Sequence, residues 1–215
     1  MRKGISIKGV HSYRDLGIEI ADRKISIPEI NRITETIPYQ NGSYDFSSLN
    51  GEVTYKNRTL SYTFEIAEES TEKMEIEKQK ILNWLSDVTN EKIYDDYIPG
   101  YYFIGSIDSY SWEEDFEYGK VVINFSVYPF KYRNIVARKE YDVFGSLNVS
   151  LNTDSSHKVM PKIISNSDFI INYNNISLAI GIGTFQDVNF TLAKSNEFII
   201  EGTGKIIFEY TDEVL

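Results

Sequence analysis

Apolar and polar residues alternate through GEVTYKNRTLSYTFEI at 51–66, with Val53 and Tyr55 on one arm and Leu60, Tyr62, Phe64 and Ile66 on the other. Period-two spacing interrupted by the polar Lys56-Asn57-Arg58 predicts a β-hairpin with one buried face. The alternation returns at 101–110 and at 120–128, where Val121, Ile123, Phe125 and Val127 share a face. Between them, WEEDFEYG at 112–119 reads as an acidic hairpin tip. One segment differs. Across STEKMEIEKQKILNWLSDVT at 70–89, Met74, Ile81, Leu85 and Val88 follow at helical spacing. Ser70 is the expected N-cap, and Glu72 and Glu75 suit the positive end of the helix dipole. The apolar stripe, with Trp84, is expected to pack on a sheet.

The pattern changes near 129–137. Pro129 cannot donate to a central ladder, and beyond it neither Trp nor helical spacing recurs. Asn and Ser become frequent, and short strands are predicted at 147–151, 160–165, 169–172, 176–180, 186–193, 197–200 and 205–210. That rhythm suggests a compact β-sandwich. The expected fold is mainly β with one amphipathic helix, in two domains, 1–133 and 134–215.

Charge narrows the function classes. The net charge is −10, and it is spread out: 16 basic and 22 acidic residues in 1–133, then 6 and 10 in 134–215. Neither part offers the basic stripe that replaces phosphate counterions, so no nucleic-acid partner is expected. The chain has no cysteine, which removes disulfides, thiolate metal sites and Cys nucleophiles. MRKGISIKGVHSY lacks the apolar core of a secretory signal, and no apolar run approaches a membrane span. Synthesis in a cytoplasm, with no membrane partner, is the expectation. The 16 Tyr and 12 Phe suit pleated surfaces and protein contacts.

Candidate chemistry is sparse. His11 and His157 are the only histidines and fall in different expected domains, so each reads as a surface or strand-end residue. IGIGTFQ at 180–186 has Gln186 where a dinucleotide fingerprint needs its third Gly. GTGKI at 202–206 has Ile206 where a P-loop needs Ser or Thr. Both read as turns between strands. Asp95-Asp96 and Glu113-Glu114-Asp115 lack the alternate ligand spacing of a calcium loop and read as solvated acidic loops. No catalytic, cofactor-binding or metal residue is assigned, and no enzyme is expected.

The stretch IPYQNGSYDFSS at 37–48 reads as structural. Asn41-Gly42 supplies backbone at positive φ for a tight turn, and Asp45 can cap that turn by accepting backbone N–H bonds. Arg58, placed at a hairpin tip, has two open readings: it binds a carboxylate of its own loop, or one of a neighbouring subunit.

These motifs occur in a family's order. Tyr13-Arg14-Asp15-Leu16-Gly17-Ile18, Ile27-Pro28-Glu29, Ile37-Pro38 with Asn41-Gly42 and Asp45, and Gly51-Glu52 leading to Tyr55, Asn57-Arg58-Thr59 and Phe64 are the first of them. Tyr101-Tyr102-Phe103-x-Gly105 and Tyr128-Pro129-Phe130-Lys131-Tyr132 complete the series. Together they resemble the distal tail protein family of long-tailed bacteriophages and prophages. The chain departs at Ser106, where many relatives carry Arg, and 134–215 matches through strand count and its ending GKIIFEYTDEVL.

The resemblance implies a β-rich N-terminal domain that forms a homo-hexameric ring, with galectin-like β-sandwich domains projecting outward. It implies a virion location at the tail tip, with a tail tube protein, a tail tip protein and a receptor-binding protein as partners. Arg58 is then a subunit-interface candidate. The alternative is a carbohydrate-binding sandwich for host attachment, against which 134–215 has no Trp, one Arg (Arg138) and one His (His157).

Overall fold

The computed structural model describes residues 2–48 and 51–215, which divide into two compact units, 1–131 with Leu215, and 132–214. The first unit contains β1 (Ile5–Ile7), β2 (Val10–His11), β3 (Glu19–Ile25), β4 (Thr34–Glu35), β5 (Tyr44–Asp45), β6 (Arg58–Ala67), α1 (Thr71–Leu85), β7 (Glu91–Asp95), β8 (Tyr101–Asp115) and β9 (Tyr118–Val127). Its main sheet follows the antiparallel path β2-β1-β7-β8-β9-β6-β3. The expected mainly β fold with one helix is what the chain adopts.

Alternation places Leu60, Tyr62, Phe64 and Ile66 of β6 on one buried face, beside Val121, Ile123, Phe125 and Val127 of β9. The pairing differs from the expected hairpin. Val53 and Tyr55 form no strand; Tyr55 makes only an isolated bridge to Ile30, and β6 pairs with β9 and β3 instead. Lys56 and Asn57 lead into β6, and Arg58 is its first residue, buried on the core face. Residues 26–48 and 51–57 form a long excursion from the main sheet rather than a hairpin arm, holding the short β4–β5 pair and the Ile30–Tyr55 bridge.

The helix starts as expected: the Lys73 amide donates to the Ser70 Oγ (3.3 Å), a cap typically worth ~1 kcal/mol. Met74, Ile81, Trp84 and Leu85 are buried, with the Trp84 ring edge-on to Phe64 at 6.3 Å. It ends at Leu85, earlier than the spacing suggested. The Ser86 amide and hydroxyl both donate to the Asn83 carbonyl, and Asp87 turns to φ +53°. Val88 therefore enters the core from a turn, not from the helix.

After β10 (Lys131–Arg133), the second unit contains β11 (Ala137–Asn152), β12 (Lys162–Ser165), β13 (Phe169–Tyr173), β14 (Ile176–Ile180), β15 (Gly183–Phe185), β16 (Ser195–Tyr210) and β17 (Glu213–Val214). The strand expected at 186–193 is absent; there Leu192 bridges only Val159. The two strands expected at 197–200 and 205–210 are one, β16, paired with β11 along its whole length.

GTGKI is thus a bend inside a strand. Gly202 and Gly204 adopt φ +142° and +143°, and β16 passes from pairing β13 to pairing β12 around them. Ten residues of straight strand span roughly 33 Å. The Phe198 and Phe208 rings nevertheless lie 5.5 Å apart, so the β11–β16 ribbon folds over on itself around a core of Phe190, Phe198 and Phe208.

Two stability outcomes follow. Leu85→Ala should cost ~2–5 kcal/mol in urea melts; no loss would mean the helix stripe is not a packed core. Gly202→Val should lower the unfolding transition of the second unit by roughly 1–3 kcal/mol, since the new side chain meets the Asp168 carbonyl and the Phe169 ring at a φ that β-branched residues resist.

Candidate functional site

The N-terminal turn is built around His11. His11 is buried at the end of β2, not on the surface. Its Nδ1 accepts the amides of Tyr13 and Arg14, both at 3.0 Å, which leaves the proton on Nε2 to donate to Asp96 Oδ2 at 2.9 Å. The same oxygen accepts the Gly4 amide at 3.1 Å. Gly4 needs its missing side chain, because a Cβ would collide with His11 and Ser12. Asp15 Oδ2 accepts the His11 amide at 2.7 Å, and Gly17 closes the turn at φ +71°. Burial pushes the Asp96 carboxyl up, but the hydrogen bonds from His11 and Gly4 outweigh it and hold the group below the usual carboxylate range.

Asp95 is no solvated loop residue either. Its side chain is fully buried and accepts from Arg23 Nε (2.6 Å), the Tyr62 hydroxyl (2.7 Å) and the Tyr97 amide (2.8 Å). A buried carboxylate that accepts from three donors is structurally satisfied. Burial, then the Asp95 charge, push the Tyr62 hydroxyl far above its ordinary pKa.

The turn residues of 37–48 separate in space. Gly42 adopts φ +85° with open space around it, while Tyr39, also at positive φ (+69°), sits in the turn closed by the Gln40 amide on the Ile37 carbonyl. Asp45 does not cap the Asn41-Gly42 turn. It ends β5, accepts the Ser47 amide (2.8 Å) and pairs with Arg32 (2.7 Å). Hydrogen bonds from the Ser47 side chain and amide, helped by Arg32, hold its carboxyl below the usual range.

Arg58 is the outlier. It is 7% exposed, its guanidinium lies 4.6 Å over the Phe103 ring, and its Nε and Nη2 have no hydrogen-bond partner among the described residues. It does not reach a carboxylate of its own loop. Desolvation lowers its pKa, and Lys131 nearby is lowered by burial and by the Arg58 charge. Lys131 Nζ donates to the main-chain oxygen of Leu215 and lies 5.5 Å over Tyr101. Two neighbouring cations on aromatic rings make a desolvated basic spot on an acidic chain.

Sequence reading missed the His11–Asp96 and Asp95–Tyr62–Arg23 clusters. Partners 85 and 72 residues apart leave no local signal, although Tyr62 on a core face did call for a polar partner. His11 and His157 lie in different units, and His157 Nε2 is 3.1 Å from Glu213 Oε2. Among the described residues no group of three or more His, Cys, Asp or Glu side chains could hold a metal ion.

The depressed Asp96 pKa has a pH consequence. Its contribution to stability is present at neutral pH and is lost as pH falls through the folded value, below about 4. Asp96→Asn should therefore melt below the parent at pH 7, and the gap should close on acidification; a gap that persists at pH 2–3 would contradict the clamp.

Comparisons with known proteins agree with this scaffold. No curated protein sequence matches the chain. Among solved structures, the Dit protein (gp 19.1) of phage SPP1, described as a paradigm of the hub adsorption apparatus in phages infecting Gram-positive hosts, has a TM-score of 0.70 at 14% identity, with 100% of both chains covered. The phage P2 baseplate in its calcium-activated conformation gives a TM-score of 0.48 at 6% identity, covering 99% of this chain and 98% of that one. The model of the phage tail protein RIFT-related domain matches residues 8–127, more than half of the sequence, and to that family the chain belongs.

Proposed function

We propose that this phage tail protein is a distal tail hub: a homo-hexameric ring that joins the tail tube protein to the tail tip protein and, through them, to a receptor-binding protein. The carrying observation is the family match together with a fold shared, end to end, with a phage hub protein. In this reading 1–133 is the ring-forming domain and 134–215 the galectin-like domain. The protein is made in the host cytoplasm, acts at the virion tail tip and performs no catalysis. Its buried polar clusters support a structural role, since each titratable member of the His11 and Asp95 groups is tied to backbone or to a partner.

One observation bears on the sugar-binding alternative. On the outer face of the second unit, Asn148, Ser150, Asn172 and Glu197 line an open cleft of about 570 Å³ beside Ile199. The cleft presents polar groups, but its one aromatic, Phe198, is buried, so a sugar ring finds no stacking platform there. The hub reading is the stronger.

Mass photometry of the full chain, with negative-stain images, tests the ring. A species of six copies with a central hole is expected. A monomer at every concentration, including in the presence of the tail tube protein, would overturn it.

A further inference from the structure

The basic spot has a counterpart on the same chain. The β8–β9 hairpin ends in Asp115-Phe116-Glu117-Tyr118, with Phe116 80% and Tyr118 70% exposed. Asp115 and Glu117 are exposed and enter no ion pair among the described residues, whereas Glu113 pairs with Lys120 and Glu114 with Lys78. The tip thus offers two free carboxylates beside an unburied aromatic ring. The spot formed by Arg58, Lys131 and Tyr101 offers what such a tip lacks: two cations, Arg58 almost wholly buried over the Phe103 ring and Lys131 half-buried beside the half-buried Tyr101.

Their placement matters as much as their chemistry. The β6–β9 ladder runs from Arg58 opposite Val127 to Ala67 opposite Tyr118. The basic spot and the acidic tip therefore sit at opposite ends of the same strands, roughly 30 Å apart. One chain cannot bring them together, but two copies can. Complementary patches at opposite ends make a heterologous contact, which gives a ring when the rotation between copies closes and an open filament when it does not.

The sheet edges are poor alternatives. Edge strand β2 has two residues, and edge strand β3 is bulged between Ile20 and Asp22 and carries Asp22, Arg23 and Lys24. Short, bulged and charged edges resist strand addition.

We propose that the Asp115–Tyr118 tip of one copy docks head to tail on the Arg58–Lys131 site of the next, its carboxylates meeting the two cations and Phe116 covering the aromatic rim. The contact rests on the ring reading and specifies how that ring closes. Arg58 is buried in the single chain, so docking requires its side chain to turn outward to the incoming carboxylate, a rotamer change of the kind common at interfaces.

Sedimentation velocity on the full chain tests it. Asp115→Lys with Glu117→Lys, on an exposed turn, should weaken self-association about tenfold or more, and Lys131→Glu should do the same. All three changes in one chain should restore it. Arg58→Met, similar in volume and uncharged, should abolish association without lowering the melting temperature of the monomer, because it removes a buried charge that has no internal partner. If the parent forms rings and the tip variants form them equally well, the docking is wrong while the ring reading stands. If each single change weakens association but the combination does not restore it, tip and spot do not meet each other. A lower monomer melting temperature for Arg58→Met would mean the charge is satisfied within its own chain, and would overturn the site. A parent that never associates removes the ring reading and this contact with it.

Discussion

One helix must cover one face of a broad sheet, and the rest of the first unit follows from that shortage. Fifteen residues of helix extend only about 22 Å, while the path from β2 to β3 is seven strands, roughly 29 Å across. Trp84 on Phe64, Met74 against Gly119 and Lys78 on Glu114 place the helix toward the β8–β9 tip. Along β6 the core-facing row runs Ile66, Phe64, Tyr62, Leu60 and Arg58, and all five are buried. Two members of that row carry polar heads. Tyr62 finds Asp95 and Arg23; Arg58 finds an aromatic face and no anion.

The strands of this sheet were legible because one face is buried and the pleat has period two. Their partners were not. Alternation at 53–55 resembles a strand arm, yet period alone does not say which neighbour supplies the ladder, and 53–55 finds only a bridge. Arg58 was read as a turn residue because it is charged. Its aliphatic stem and flat guanidinium let it lie on Phe103 and hold a core-facing position that polarity would deny it. The helix start was readable from Ser70, a strong cap. The end was not, because Ser86 and Asp87 stop the helix through their own backbone bonds while Val88 keeps the apolar spacing. In β16 the Gly-Thr-Gly run looked like a turn. It is a fold in a continuous ribbon, and only the meeting of Phe198 with Phe208 reveals it.

Of the candidate residues, Gly42 behaves as its type implies, at positive φ in open space. Tyr39, beside it at positive φ, carried no such signal, since tyrosine has no preference for that region. The family-like motifs make physical sense one at a time. Asp15 takes an amide that the β2 end leaves free, Gly17 supplies a left-handed turn, and Gly105 lies where a Cβ would strike the Ser126 carbonyl. Each is a backbone requirement of this fold.

Assembly of an acidic chain sets the remaining constraint. Copies that each carry a charge of −10 repel one another at a distance, so a ring needs contacts whose attraction is local and weakly screened. A cation already stripped of water suits that need. Arg58 bears its desolvation cost in the folded monomer, where Phe103 and the surrounding chain bury it. An incoming carboxylate then adds chiefly its own dehydration, because most of the guanidinium's was met on folding, so less of the attraction is consumed on docking. In the proposed docking, the unpaired charge of Arg58 in the single chain becomes a preference for the assembled state.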